Sequence, residues 1–167
     1  MEKHGFVHLS AGDLLRAERD SGSPYGDLIN SYMAEGKITP VEITCNLIRV
    51  AMENSGWSTK KYLIDGFPRN ADNVKGWNEV MGDRTILGAV LWFDADEATM
   101  TDRIMKRAAT SGRNDDNIET LKKRFAQFSS EQLPIIKSYG EKVKQINALA
   151  EPELVFTEVE KALADFI

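Results

Sequence analysis

Six arginines, Arg16, Arg69, Arg103, Arg107, Arg113 and Arg124, and one carboxylate, Asp65, have the types and spacing that phosphate chemistry would use. Asp65 ends a short apolar run, Tyr62-Leu63-Ile64, and Gly66 and Pro68 break the chain before Arg69. A guanidinium donates two parallel hydrogen bonds to a phosphoryl group. A carboxylate is a hard oxygen ligand of the kind Mg²⁺ takes while keeping several waters. Arg103 and Arg107 are four residues apart and so share a helix face. Arg113 lies in a polar, glycine-containing stretch, and Arg124 falls beside the apolar face set by Leu121 and Phe128. A charged group there runs along the core edge or points into a cleft. Asp115 and Asp116 are close enough in sequence to hold guanidinium groups in place. Moving a phosphoryl group asks for such positioning and for spread positive charge more than for covalent work by the protein. The plain alternative is a strand, a polar turn and solvated charges along helices.

The elements that must position these residues follow from periodicity and punctuation. Strands are expected at 6–9, 61–65, 87–93 and 142–146. Ala89-Val90-Leu91-Trp92-Phe93 is a continuous apolar run, the mark of a strand covered on both faces. Helices are expected between the strands, so the sheet should be parallel with crossover connections. In such a sheet ligands sit beyond the carboxyl ends of the strands, which is where Asp65 and Arg69 fall. Ser10 can cap a helix starting near Ala11, with Asp13 in its first turn. Further helices are expected at 25–35, ended by Gly36, and from Pro40 to about 54. These two pieces read as a small mobile cap. Next come a helix from Asn70 to about 81, with Gly76 a weak point, and one over 94–108. A loop follows at 110–117, then a helix over 118–139 that Pro134 should kink or split, and a last helix over 152–166.

Composition bounds the class. The 167 residues suffice for one domain with a sizeable core, and a net charge of -5 argues against a nucleic-acid surface. No apolar run is long enough to span a membrane, and residues 1–12 lack the apolar core of a signal peptide. Cys45 is the single cysteine and reads as a buried apolar group in a reducing compartment. The cytoplasm is therefore expected, with the nucleus as an alternative. His4 and His8 have metal-ligand spacing for a helix, but His8 falls in a strand and no third ligand is near, so they read as structural. Of the tryptophans, Trp92 is expected in the core, and Trp57 and Trp77 at helix ends.

The stretch Gly66-Phe67-Pro68-Arg69-Asn70 resembles the GFPRN signature of nucleoside monophosphate kinases, in particular the UMP/CMP kinase branch. The resemblance extends to Leu9-Ser10-Ala11-Gly12-Asp13-Leu14-Leu15-Arg16, to Glu35-Gly36-Lys37-Ile38 with Pro40, and to Ser111-Gly112-Arg113-Asn114-Asp115-Asp116-Asn117. It covers essentially the whole chain. It implies a three-layer α/β fold with a parallel sheet like that of P-loop NTPases. Within one kinase domain it implies a core at 1–14, 55–106 and 118–167, a helical monophosphate-binding cap at 15–54 and a short lid at 107–117.

The resemblance also implies roles. Arg16 and Arg69 match the arginines that clamp the acceptor monophosphate. Arg113 and Arg124 match those bridging donor and acceptor phosphates, and Arg103 and Arg107 the pair at the start of the lid. The catalytic set is then Arg69, Arg103, Arg113 and Arg124. Arg107, expected to stack on the ATP adenine, and Ala150 fall on the ATP side. Lys37, Ile38 and Thr39 match the segment beside the acceptor nucleotide, and Gly66, Phe67 and Pro68 belong with them. Asp65 matches the carboxylate that holds Mg²⁺ through water. Asn73 stands where adenylate kinases typically carry Gln. Its carboxamide offers a donor and an acceptor, so it could meet uracil or cytosine by presenting either end. The implied partners are small nucleotides, MgATP with CMP or UMP and also dCMP, with no nucleic acid or membrane, and the implied state is a monomer. The resemblance is to the short-lid form, since the 110–117 stretch leaves no room for an inserted zinc-binding lid.

One part of the family pattern does not occur. The sequence contains no GxxxxGK[ST] loop, whose backbone N–H groups and Lys cradle ATP phosphates, and about two dozen family residues, including the first strand, are lacking. Three explanations are an omitted segment, a start assigned downstream at Met1, and a genuine short form. Loss of a central strand would expose two apolar strand edges, which favours the first two. As it stands the chain should bind ATP poorly and transfer phosphate slowly or not at all. The competing readings are an adenylate kinase, with Asn73 as the discriminator, and a catalytically inactive nucleotide-binding fragment.

Overall fold

The computed structural model describes residues 2–57, 60–113 and 115–167. Residues 1–85 and 86–167 form two compact units. The first holds β1 (Phe6–Ser10), α1 (Ala11–Asp20), α2 (Gly26–Ala34), α3 (Val41–Asn54), β2 (Lys61–Asp65) and α4 (Ala71–Met81). The second holds β3 (Val90–Asp94), α5 (Glu97–Ser111), α6 (Ile118–Gln127), α7 (Leu133–Ser138), β4 (Val143–Asn147) and α8 (Pro152–Ala162).

The strands alternate with helices and pair in parallel, as expected, and among the described residues each unit holds one two-stranded ladder. β1 pairs with β2 in the register Phe6 with Lys61 through Ser10 with Asp65. β3 pairs with β4, Val90 with Val143 through Asp94 with Asn147. Alternation fixes strand direction but not how many ladders join.

The local chemistry explains most boundaries. Ser10 caps α1, its hydroxyl accepting from the Asp13 N–H at 3.4 Å. Asn70 caps α4, Asp96 caps α5 and Asn117 caps α6, each accepting from the backbone N–H three residues on. The α5 helix therefore starts at Glu97, not at Asp94, which still belongs to the strand. It runs on to Ser111, so the loop begins later than expected, and it stops at Gly112, whose φ of 63° is the left-handed form glycine adopts freely. The expected break near Pro134 is present: a π-turn at Phe128–Gln132 separates α6 from α7 and leaves Pro134 in the first turn of α7.

The core of the first unit gathers Leu9, Ala11, Ile48, Met52 and Met81, with Val7, Tyr62, Ile64, Phe67 and Trp77 packed against it. Full burial of Ile48 or Met81 contributes about 1.5–3 kcal/mol each. Leu15, Ile29 and Met33 form a second cluster with Ile43 and Leu47. The first half of α3 thus packs with α1 and α2, and its second half packs into the strand core, so α3 is a buried layer along that half. In the second unit Leu121, Ile146 and Leu163 are buried.

Three expectations need correction. β3 begins at Val90, because residues 140–142 form a 3-10 turn and offer no ladder partner to residues 87–89. β3 is not covered on both faces: Val90, Leu91 and Trp92 are half-buried and Phe93 is 50 % exposed, so Trp92 is not a core residue. Among the described residues its ladder has a single neighbour, β4. Trp77 lies inside α4 rather than at its end, its ring tilted against Phe67 at 5.6 Å. Trp57 does sit just after α3, under the Arg84 guanidinium at 4.5 Å.

Candidate functional site

In the first unit the site grows from the ends of two adjacent parallel strands. Ser10 and Asp65 are register partners, so α1 and the 65–70 turn leave the same end of the ladder. Arg16 and Arg69 therefore follow the carboxyl ends of neighbouring strands, the usual location for ligands in open sheets. Arg16 is paired with Asp13, one turn back on α1, and keeps little exposure.

The turn itself is closed by its own side chains. Gly66 has a φ of 70°, and a Cβ there would lie 3.1 Å from the Arg69 guanidinium, so both backbone and space favour glycine. A cis peptide joins Phe67 to Pro68. The Arg69 Nε–H donates to the Gly66 carbonyl at 2.7 Å, curling the side chain over the turn. The Arg69 backbone N–H donates to Asn73 Oδ1 at 3.0 Å, and the Asn73 backbone N–H donates to Asn70 Oδ1 at 2.9 Å. Asn73 is thus 3 % exposed and locked in place. Since the Arg69 N–H must face an acceptor, the Asn73 amide is oriented with Oδ1 toward that N–H, which uses one of the oxygen's two lone pairs. Nδ2 is a donor with no protein partner among the described residues.

Asn73 also lines a cavity of about 340 Å³ between the 38–42 segment and α4. Ile38, Thr39 and Asn73, all expected near an acceptor nucleotide, line it together. Glu42, Asp72 and Lys75 line it as well and were missed by sequence reasoning. For α4 a signal was available, since 72, 75, 76 and 79 recur at one-face helical spacing. Lys37 is exposed and paired with Glu35 at 2.5 Å, a contact that raises its pKa. Gly76 is buried, and a Cβ on it would lie 2.4 Å from Val41 Cγ2. A larger residue at Gly76 would therefore meet Val41, the first residue of α3.

Asp65 stands at the strand end, largely exposed, with one oxygen paired to His8 Nε2. That partner was also missed; the parallel register puts His8 two residues from the Ser10–Asp65 pair. A single exposed carboxylate of this kind fits a Mg²⁺ ion that keeps its waters and takes its other oxygens from phosphates. Among the described residues no group of three metal-ligating side chains exists to form an all-protein cage.

In the second unit the loop after α5 holds two arginines. Asp116 takes Arg107 in a bidentate pair, at 2.8 Å to Nε and 2.6 Å to Nη2. Asp115 takes Arg124 Nη2 at 2.5 Å. Both carboxylates are buried, at 6 % and 3 % exposure, and the guanidinium beside Asp116 lowers its pKa below the usual carboxylate range. The expectation that these aspartates hold guanidinium groups is met. Arg113 sits between them in the loop, its backbone N–H donating to Ser111 Oγ at 3.3 Å. Arg103 donates to the Ala148 carbonyl at 2.7 Å, and half-buried Ala150 lies in the bend between β4 and α8. Among the described residues no helix is long and apolar enough to cross a membrane.

Known proteins bear on this arrangement. Residues 1–144 match the family model described as adenylate kinase. The chain is 46 % identical over 167 residues to the UMP-CMP kinase of Sus scrofa, covering 96 % of this chain and 85 % of that one. It is 46 % identical over 165 residues to the UMP-CMP kinase of Homo sapiens, covering 95 % and 84 %. It is 45 % identical over 169 residues to that of Danio rerio, covering 98 % and 86 %. A match of this extent and identity shows that the chain belongs to the adenylate kinase family of nucleoside monophosphate kinases.

Proposed function

We propose that the chain acts on pyrimidine nucleoside monophosphates, passing the γ-phosphoryl group of ATP to CMP, UMP or dCMP. The bond from the β–γ bridging oxygen to Pγ breaks, and a bond from an acceptor phosphate oxygen forms, giving ADP and a nucleoside diphosphate. The observation that carries the reading is the cavity lined by Ile38, Thr39 and Asn73, the last tied to the Arg69 turn through its side chain. The UMP-CMP kinases at 46 % identity support the pyrimidine choice.

The chain's own residues take these parts. Arg16 and Arg69 hold the acceptor phosphate, and the 37–39 segment with Asn73 holds its base. Gly66, Phe67 and Pro68 shape the turn that aims Arg69. Arg103, Arg113 and Arg124 offset charge on the transferring group. Arg107 stacks on the adenine of ATP, with Ala150 on the same side. Asp65 would hold Mg²⁺ through water, and the ion when bound neutralises charge on the ATP phosphates. Residues 15–54 serve as the cap and 107–117 as the lid. The reading includes a monomer in the cytoplasm. Because the sequence contains no GxxxxGK[ST] loop, turnover by this chain alone should be slow.

A coupled ADP-release assay with CMP, UMP, dCMP and AMP tests the proposal, on this chain and on a version carrying a relative's Gly-rich loop at its N-terminus. Turnover of CMP and UMP well above AMP supports it. Fast turnover of AMP alone would leave an adenylate kinase.

A further inference from the structure

Asn73 presents an amide of fixed orientation to the cavity it lines. Its Oδ1 accepts from the Arg69 N–H, and turning the amide over would set N–H against N–H. A fixed donor suits the C2 carbonyl, which uracil and cytosine share. It cannot serve N3, which is a donor in uracil and an acceptor in cytosine. A site that hydrogen-bonds N3 of both bases needs a group able to reverse its polarity, and among uncharged side chains a hydroxyl does this by rotating its proton.

Thr39 supplies such a group. It is 5 % exposed and lines the same cavity as Asn73. Its hydroxyl has no protein partner among the described residues. Nor is it sealed in the protein: among the described residues the buried side-chain polar atom left unpaired is Asp115 Oδ1. An uncommitted hydroxyl and an uncommitted amide donor on two buried residues that line one cavity can make a two-point reader. Burial also fixes its Cβ, and a β-branched side chain has few rotamers to lose.

We propose that Thr39 is a specificity-determining residue whose hydroxyl pairs with N3 of the pyrimidine, accepting from uracil and donating to cytosine, while Asn73 Nδ2 donates to O2. This rests on the pyrimidine reading above and assigns the hydroxyl a task that the family resemblance of residues 37–39 does not give it. It also accounts for acceptance of both bases without an amide flip.

The test is direct binding, so it does not depend on turnover. CMP, UMP, AMP and 3-deaza-CMP, which lacks the N3 acceptor, are titrated calorimetrically into the 167-residue chain and into Thr39→Val and Thr39→Ser. Thr39→Val should weaken CMP and UMP by roughly tenfold, the worth of one hydrogen bond, while Thr39→Ser stays within about threefold. The wild type should bind 3-deaza-CMP roughly tenfold more weakly than CMP, and Thr39→Val should bind the two alike. Unchanged affinity in Thr39→Val, or an equal 3-deaza penalty in both proteins, overturns the role of Thr39 and leaves the pyrimidine reading standing. Wild-type preference for AMP, or no binding of either pyrimidine, overturns both. Should Thr39→Val fail to fold, the analogue arm on the wild type still decides, since equal binding of CMP and 3-deaza-CMP there refutes the N3 contact.

Discussion

Replacing Gly76 by Ala should destabilise the first unit, against the usual sign for a helix interior. In an unhindered helix this change gains about 1 kcal/mol from propensity alone. Here the new Cβ would stand 2.4 Å from Val41 Cγ2, well inside contact distance. Valine is stiff about χ1 and Val41 opens α3, so relief requires α3 and α4 to separate or Val41 to leave its rotamer. Overpacking of this kind costs about 1–3 kcal/mol. The net loss is then on the order of 1 kcal/mol, about 0.5 M in urea midpoint for a slope of about 2 kcal/mol/M. The adjoining cavity shares Val41 and Gly76 in its lining, so CMP affinity should fall as well. Urea unfolding followed through tryptophan fluorescence measures the first effect. Adding Val41→Ala to Gly76→Ala removes the clashing methyls and should recover part of the loss. A stabilised Gly76→Ala, or no recovery in the double variant, would refute the close-approach argument.

Three further outcomes are expected. In a version carrying the Gly-rich loop, Arg69→Ala should raise KM for CMP and lower kcat together; unchanged kinetics would remove Arg69 from the clamp. Asp116→Asn should cost on the order of 1 kcal/mol, modest because Arg107 is 43 % exposed and solvent screens the pair. The folded state holds Asp116 ionised more readily than the unfolded chain does, so wild-type stability from this pair is full above the unfolded value near 4 and is lost as pH falls through the lower folded value. Acid unfolding curves of wild type and Asp116→Asn should therefore converge at low pH, and parallel curves would contradict the pairing. Burial pushes the Cys45 thiol up to about 11, so it should resist a thiol reagent at pH 8 until denaturant is added.

How much the sequence disclosed depended on the range of the interaction. Ser10, Asn70 and Asn117 act on N–H groups three residues away, and Pro134 on its own helix, so these boundaries were legible. Asp115 and Asp116 lie nine residues from the arginines they hold and were within reach of a local argument. What escaped was set across the fold. Nothing near residue 76 announces Val41, and residues 87–89 look like strand until it is seen that their would-be partners at 140–142 are turned. The Asn73 amide was read as free to turn, since a bond from a backbone N–H to its oxygen is something no side-chain pattern displays. The resemblance implied a base beside Asn73; the hydrogen bond orients its amide.

The claim on which the rest depends is that a pyrimidine base enters the cavity lined by Ile38, Thr39 and Asn73. Nuclear magnetic resonance on the ¹⁵N-labelled chain tests it at the atom concerned. Titration with CMP or UMP should shift the Asn73 side-chain Nδ2H₂ pair and the Thr39 amide along one saturable curve, with AMP producing little change. Saturable binding of CMP that leaves both signals in place would contradict the account.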